Sequence, residues 1–262
     1  MISDLLPRLA ANQRIPERVA LVVAHPDDET VGLGSRLALF DDLTLIHLTD
    51  GTPDDVSFAQ RAGFADNPAY AAARRAELAA ALAALGATPA RRIAYGLPDQ
   101  RAHENLPAII DRLAADLAGH AAIITHAYEH GHPDHDTAAL AVAHARARLG
   151  ASAPQAYEFA TYYRDGDHIR FGDFYPDADA PETRLPLSAA QREAKRAAFA
   201  AHASQASTLA QFDPARETLR PAPTYDFTRP APPARAAYEL WGFALTPEAW
   251  LAATAPSSKA VR

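Results

Sequence analysis

The stretch that most restricts the fold is residues 18–29, where an apolar run (Val19-Ala20-Leu21-Val22-Val23-Ala24) stops at His25-Pro26-Asp27-Asp28-Glu29. An unbroken apolar run of strand length is the pattern of a strand buried on both faces, as in a parallel sheet. Pro26 ends it, because its fixed φ and missing N–H cannot continue a central strand. One imidazole and three successive carboxylates at a strand end repel one another and lose hydration in a concave site. A bound cation is the simplest partner that holds them together.

The same alternation continues downstream. Strands are expected at Leu43–Thr49, Arg92–Tyr95 and Ala121–Thr125, with helices at Thr30–Phe40, Ala69–Leu85 and Leu106–Leu117, and an Ala-rich helix reaching about Leu149. This pattern implies an α/β fold with a mostly parallel sheet and helices on both faces. Ligands in such sheets sit at the carboxyl ends of the strands, where both His/Asp clusters, Asp50 and Asp99 fall. Residues 1–17 suit one short amphipathic helix, and 52–68 read as a long surface loop. The last third is expected to hold a strand at Gln155–Tyr163, a helix at Ala189–His202, an edge strand at Tyr238–Phe243 and a frayed tail after Thr254. The Pro-rich stretch 213–235 reads as an ordered surface excursion or an oligomer contact, with a flexible linker as the alternative.

Composition narrows the chemistry. The 262 residues are 48% hydrophobic and 22% charged, ordinary for a soluble globular protein, and the net charge of -7 argues against nucleic-acid or anionic-membrane partners. No apolar window of transmembrane length occurs and the N-terminus lacks a secretion signal, so a cytoplasmic location is the default expectation. With no cysteine and eleven histidines, metal binding falls to His and carboxylates.

A second cluster, His132-Pro133-Asp134-His135-Asp136, follows the fourth expected strand. Should His25, Asp28 and His135 converge, they form a three-ligand nitrogen/oxygen site with a fourth position open to water, the arrangement of catalytic zinc. Asp27 would then lie beside that water as a general base, and His132 could donate to an oxyanion. Each cluster alone also reads as a helix N-terminus with capping acids. Glu29 is either a hydrogen-bonding stiffener or a simple cap. His126 and His130 are either substrate-facing or plain loop residues, and Arg74, Arg75 and Glu77 on their helix read equally as a solvated face.

Ala24–Glu29 paired with His132–His135 resembles the signature of the PIG-L/LmbE-like deacetylases. The likeness extends to Asp50-Gly51, to Arg74–Leu78 with Leu85-Gly86, and to Gly96–Asp99. The resemblance implies a Rossmann-like three-layer fold over 1–262, with 18–150 as catalytic core and about 151–262 as substrate wall. It further implies a zinc-dependent hydrolase, with other divalent metals as alternatives, acting on N-acylated amino sugars of the N-acetylglucosamine type. It would make His25, Asp28 and His135 the metal ligands, Asp27 the base, His132 the oxyanion donor oriented by Asp134, and Arg74 and Asp99 the groups gripping sugar hydroxyls. Competing readings are an amidase for a sugar–thiol conjugate, a noncatalytic carbohydrate binder and a metal-dependent phosphoesterase.

Overall fold

Nine strands and ten helices make up the computed structural model, which describes Ile2 and residues 4–258. The strands are β1 (Ile15–Val23), β2 (Phe40–Pro53), β3 (Arg91–Asp99), β4 (Ala122–His126), β5 (Gln155–Phe159), β6 (Tyr162–Asp165), β7 (His168–Phe171), β8 (Thr183–Arg184) and β9 (Thr218–Pro221). The helices are α1 (Leu5–Ala10), α2 (Asp28–Leu33), α3 (Val56–Arg61), α4 (Asn67–Ala84), α5 (Leu106–Asp116), α6 (Pro133–Leu149), α7 (Ala189–Ala201), α8 (Ala206–Leu209), α9 (Ala237–Leu240) and α10 (Pro247–Ser258). Seven strands form one sheet in the order β3-β2-β1-β4-β5-β9-β8, and β6 and β7 form a separate hairpin.

Strands β1 to β5 are mutually parallel, and β9 and β8 extend the sheet antiparallel. The apolar run of β1 sits in the middle, with Val19 opposite Leu43 of β2 on one side and Ala122 of β4 on the other. Its side chains alternate between two cores. Val19, Leu21 and Val23 pack with Leu5, Leu9, Leu78 and Leu82 of α1 and α4, while Ala20 and Val22 pack with Ile109, Leu113 and Leu140 of α5 and α6. Such two-sided burial is what the continuous apolar run required. Strand order reverses between β1 and β4, creating the crevice at which open α/β sheets bind ligands.

Several elements depart from the sequence expectation. The 52–68 stretch is not a plain loop: β2 runs on to Pro53, and α3 follows, capped by the Asp55 carboxylate accepting from Ser57 N–H at 2.9 Å. The expected helix after Asp27 splits into α2 and a 3-10 turn at Gly34–Leu39. Gln155–Tyr163 divides into β5 and β6. The aromatic run 238–243 is not an edge strand: it completes α9 through Leu240 and continues as a turn at Trp241-Gly242, with Ala237 N–H bonding the His130 carbonyl at 2.9 Å and Ala236 N–H bonding Glu239 at 2.9 Å at the head of the helix. The tail is helical through Ser258, with Trp250 and Thr254 buried. The Pro-rich stretch is an ordered excursion that contains β9 and buries Phe227 and Ala231 against the α5/α6 core.

Candidate active site

The end of β1 and the start of α2 deliver His25, Asp27, Asp28 and Glu29, the end of β4 delivers His126, and the N-terminus of α6 delivers His132, Asp134 and His135. The end of β3 adds Asp99. All are buried except Asp99, which is partly exposed. They gather at the β1/β4 crevice, where His25, Asp27, Asp28, Asp99 and His132 line a cavity of about 380 Å³ together with Arg74, Tyr162, Gln205 and several apolar side chains.

Asp28 is the hub. Its Oδ2 accepts the His25 N–H at 2.7 Å and lies 3.3 Å from His25 Nδ1, while its Oδ1 lies 3.3 Å from His135 Nε2. Burial raises the Asp28 carboxyl, but His135 and His126 outweigh it and hold the group well below its usual range. Burial and the nearby His126 hold His135 at about 4, so its imidazole is neutral at pH 7. Its Nδ1 lies 3.4 Å from Thr161 Oγ1, and its buried Nε2 has no hydrogen-bond partner among the described residues. That unpartnered ring nitrogen and the carboxylate oxygen beside it are the donor types that a divalent cation takes. The donor set of His25, Asp28 and His135 therefore fits a divalent metal.

Three overlapping groupings bring potential ligands within 4.8 Å of one another: His25, His132 and His135; His25, Asp99, His132 and Asp134; and Asp28, His126 and His135. Hydrogen bonding weighs against Asp134 and His126 as ligands among them. The Asp134 carboxylate already accepts from Gln100 N–H at 2.6 Å and Ala102 N–H at 3.0 Å, and the His126 Nε2 lone pair accepts the Ala24 N–H at 3.0 Å. His126 thus braces the turn from behind, a role its place at the end of β4 did not announce.

Asp27 takes a backbone φ of 154°, a sparsely populated region for a residue with a Cβ that costs roughly 1–3 kcal/mol. Two groups hold it there. Its N–H donates to Glu29 Oε2 at 3.1 Å, and Arg74 Nη2 donates both to Asp27 Oδ2 at 2.9 Å and to the Pro26 carbonyl at 3.0 Å. Burial, opposed by Arg74, pushes the Asp27 carboxyl up to about 7. Arg74 is itself buried and also donates to the Gly51 carbonyl at 2.5 Å. Gly51 has φ 71°, and a Cβ there would lie 2.3 Å from Arg74 Nη1, so only glycine admits the guanidinium. Glu29 is more than a cap: it also accepts from Thr30 Oγ1 at 2.6 Å and lies 3.1 Å from His47 Nε2, tying the turn to β2.

His132 is the N-cap of α6, and its Nδ1 accepts the Asp134 N–H at 3.2 Å. The ring proton therefore sits on Nε2, which lies 3.5 Å from Asp99 Oδ1. Burial and the neighbouring His25 hold His132 down at about 3, so it is a neutral N–H donor. It is the backbone of Asp134 that orients His132. The Asp134 carboxylate instead lies 3.2 Å from His25 Nε2, beside Asp99 Oδ1 at 3.0 Å. Burial alone would lower His25, yet Asp99, Asp134 and Asp28 together raise it well above its ordinary value.

Residues 20–146 match the family model described as PIG-L: GlcNAc-PI de-N-acetylase. Among solved structures, the A40926 pseudoaglycone deacetylase Dbv21 superposes with a TM-score of 0.61 at 19% identity, covering 79% of this chain and 97% of that one. A triple mutant of the deacetylase of the teicoplanin biosynthetic pathway gives 0.62 at 17%, covering 78% and 97%. The 4-carboxy-2-hydroxymuconate hydratase of Pseudomonas putida KT2440 gives 0.50 at 19%, covering 75% and 82%. At such identities the likeness is one of fold, and that fold hosts more than one reaction. No curated protein matches the sequence. Both His/Asp clusters lie inside residues 20–146, the segment that matches the PIG-L family model.

Proposed function

We propose that this chain is a metal-dependent hydrolase that removes an acyl group, acetyl in the simplest case, from the amine of an N-acetylglucosamine-type sugar. The observation that carries the reading is Asp27: a buried carboxyl poised at about 7, locked by Arg74 and Glu29, in the lining of a cavity that also holds His25 and Asp28, with His135 Nε2 3.3 Å from Asp28 Oδ1. A general base with a pKa near the working pH is the most effective kind. A carbohydrate binder gains nothing from such a group.

His25, Asp28 and His135 would hold the metal, zinc in the first instance. When bound, it supplies Lewis acidity towards water and the amide carbonyl. Asp27 takes the proton of the attacking water as oxygen bonds to the carbonyl carbon. His132 Nε2–H donates to the carbonyl oxygen as it gains charge, without needing to be a cation. Asp27 then returns the proton to the departing amine nitrogen as the C–N bond breaks, giving a free amine and a carboxylic acid. Asp99, whose carboxyl is held low by His25 and His132 despite its burial, is the acceptor available to a sugar hydroxyl.

Arg74, whose Nη1 and Nη2 donate to Gly51, Pro26 and Asp27, serves the base in this reading and not the sugar. Acetate release from N-acetylglucosamine derivatives by zinc-loaded protein, with phosphate esters in parallel, tests the proposal. Cleavage of amides alone supports it; cleavage of esters alone, or of neither, overturns it.

A further inference from the structure

The cavity wall facing the carboxylates is apolar, formed by Val31, Phe58, Tyr162, Phe212, Trp241 and Phe243. Ring contacts join it to the histidines at both ends: His135 to Tyr162 at 5.3 Å, Tyr162 to Trp241 at 5.3 Å, Trp241 to Phe243 at 6.0 Å and Phe243 to His132 at 5.5 Å. This aromatic chain leaves the candidate centre, reaches the mouth at Trp241 and returns. Among the described residues, the large hydrophobic side chains left exposed are Val56 at 41%, Leu240 at 40% and Trp241 at 42%. Of these three, Trp241 lines this cavity, Leu240 lines a neighbouring groove together with Trp241, and Val56 lies two residues before Phe58. A large aromatic left in water at the end of a continuous apolar cavity wall marks a ligand surface, whereas scattered apolar residues need no explanation.

The wall is built rather than loose. His130 Nε2 accepts the Ala231 N–H at 2.9 Å, its carbonyl accepts the Ala237 N–H at 2.9 Å, and its Nδ1 lies 2.7 Å from Asp136. Arg164 clamps the same helix through the Ala236 carbonyl at 3.4 Å and Glu239 at 3.3 Å. Arg61, which also lines the cavity, lies over the Phe58 ring at 4.4 Å and donates to Ser57 Oγ at 3.0 Å.

We propose that the substrate carries an extended apolar group that lies along this wall from Tyr162 to Trp241. A polyol matches the carboxylate side of the cavity but leaves the extended apolar face opposite it unmatched. The amide part of this statement rests on the hydrolase reading above; the apolar contact does not. The group is attached either through the acyl chain or through the sugar's glycosidic substituent, and two series separate these sources.

Binding is measured by calorimetry for acetate against hexanoate, and for methyl against hexyl β-glucosaminide, none of which has an amide to cleave. Hydrolysis is measured in parallel with zinc-loaded protein on N-acetyl- and N-hexanoylglucosamine and on the methyl and hexyl glycosides of N-acetylglucosamine. Each methylene buried is worth roughly fourfold in affinity, so the hexyl or hexanoyl member of one series binds at least about tenfold tighter than its short counterpart. Trp241→Ala, at an exposed position, removes most of that ratio. Ratios within about twofold in both series, with N-acetylglucosamine still cleaved, overturn the apolar subsite and leave the hydrolase. A large ratio lost in Trp241→Ala, with no amide cleaved, supports the subsite and overturns the hydrolase.

Discussion

Arg74 on α4 reaches Asp27 at the head of α2 through a buried 2.9 Å contact between Nη2 and Oδ2, joining residues 47 positions apart. The pair sets both the position and the proton affinity of the proposed base. Removing the guanidinium leaves a buried carboxyl with neither its cation nor its anchor, which typically costs about 3–5 kcal/mol. Arg74→Ala is therefore expected to lower the denaturant midpoint and to reduce kcat/KM by roughly a hundredfold or more, on the scale of a lost general base. Gly51→Ala, whose Cβ collides with the same guanidinium, should reproduce the loss of activity. Normal activity in either variant would separate Arg74 from the chemistry.

Glu29 holds the Asp27 N–H and with it the unusual φ of that residue. Glu29→Ala should reduce kcat at least tenfold while zinc content, read by elemental analysis, stays near one per chain. Glu29→Gln keeps an acceptor and should recover part of the rate. Equal kcat in all three proteins would return Glu29 to the status of a helix cap.

Glu129 and Glu158 share one guanidinium, Arg220, at 3.0 and 2.5 Å. One positive charge cannot balance two buried carboxylates, and burial raises both, Glu158 to about 7. The folded state therefore holds a proton that the unfolded chain releases above about pH 4.5. This contribution is complete below the unfolded value and falls as pH rises through the folded one. Glu129→Gln mimics the protonated acid and removes the fall. Between pH 5.5 and 8 its stability should rise relative to wild type by on the order of 1–2 kcal/mol in urea unfolding. A pH-independent difference would contradict the shared-proton account.

Zinc added to metal-free protein should raise the unfolding midpoint, by about 2.7 kcal/mol of stability at a free concentration a hundredfold above Kd. His25→Ala and His135→Ala should abolish the shift. His126→Ala, whose ring braces Ala24, should keep it while lowering stability. A zinc shift that survives in His135→Ala would move the ligand set elsewhere.

The parallel central sheet and the gathering of both clusters at one rim were legible in the chain. The apolar run of β1, the break at Pro26, and helix formers between strands are local signals with a fixed spatial meaning. What was not legible depends on contacts between distant segments. Arg74 sits among helix formers that suit a solvated face, and nothing nearby announces that Gly51 opens space for its guanidinium. Residues 238–243 have the aromatic content of a strand, yet hydrogen bonds that His130 and Glu239 accept from Ala237 and Ala236 start a short helix there, followed by a turn. Asp134 reads as a partner for His132, but Gln100 and Ala102, brought in by the turn after β3, occupy its carboxylate. The N-cap at Asp55 was readable; the length of the 52–68 stretch concealed it.

The central claim is that Asp27 moves the proton while its neighbours hold the metal. It is tested most directly in Asp27→Asn, nearly the same shape without a basic oxygen, loaded with zinc and assayed for acetate release. The expected result is one zinc per chain by elemental analysis, with turnover reduced by about 10²- to 10⁴-fold. Near-normal turnover in the metal-loaded variant would contradict the account.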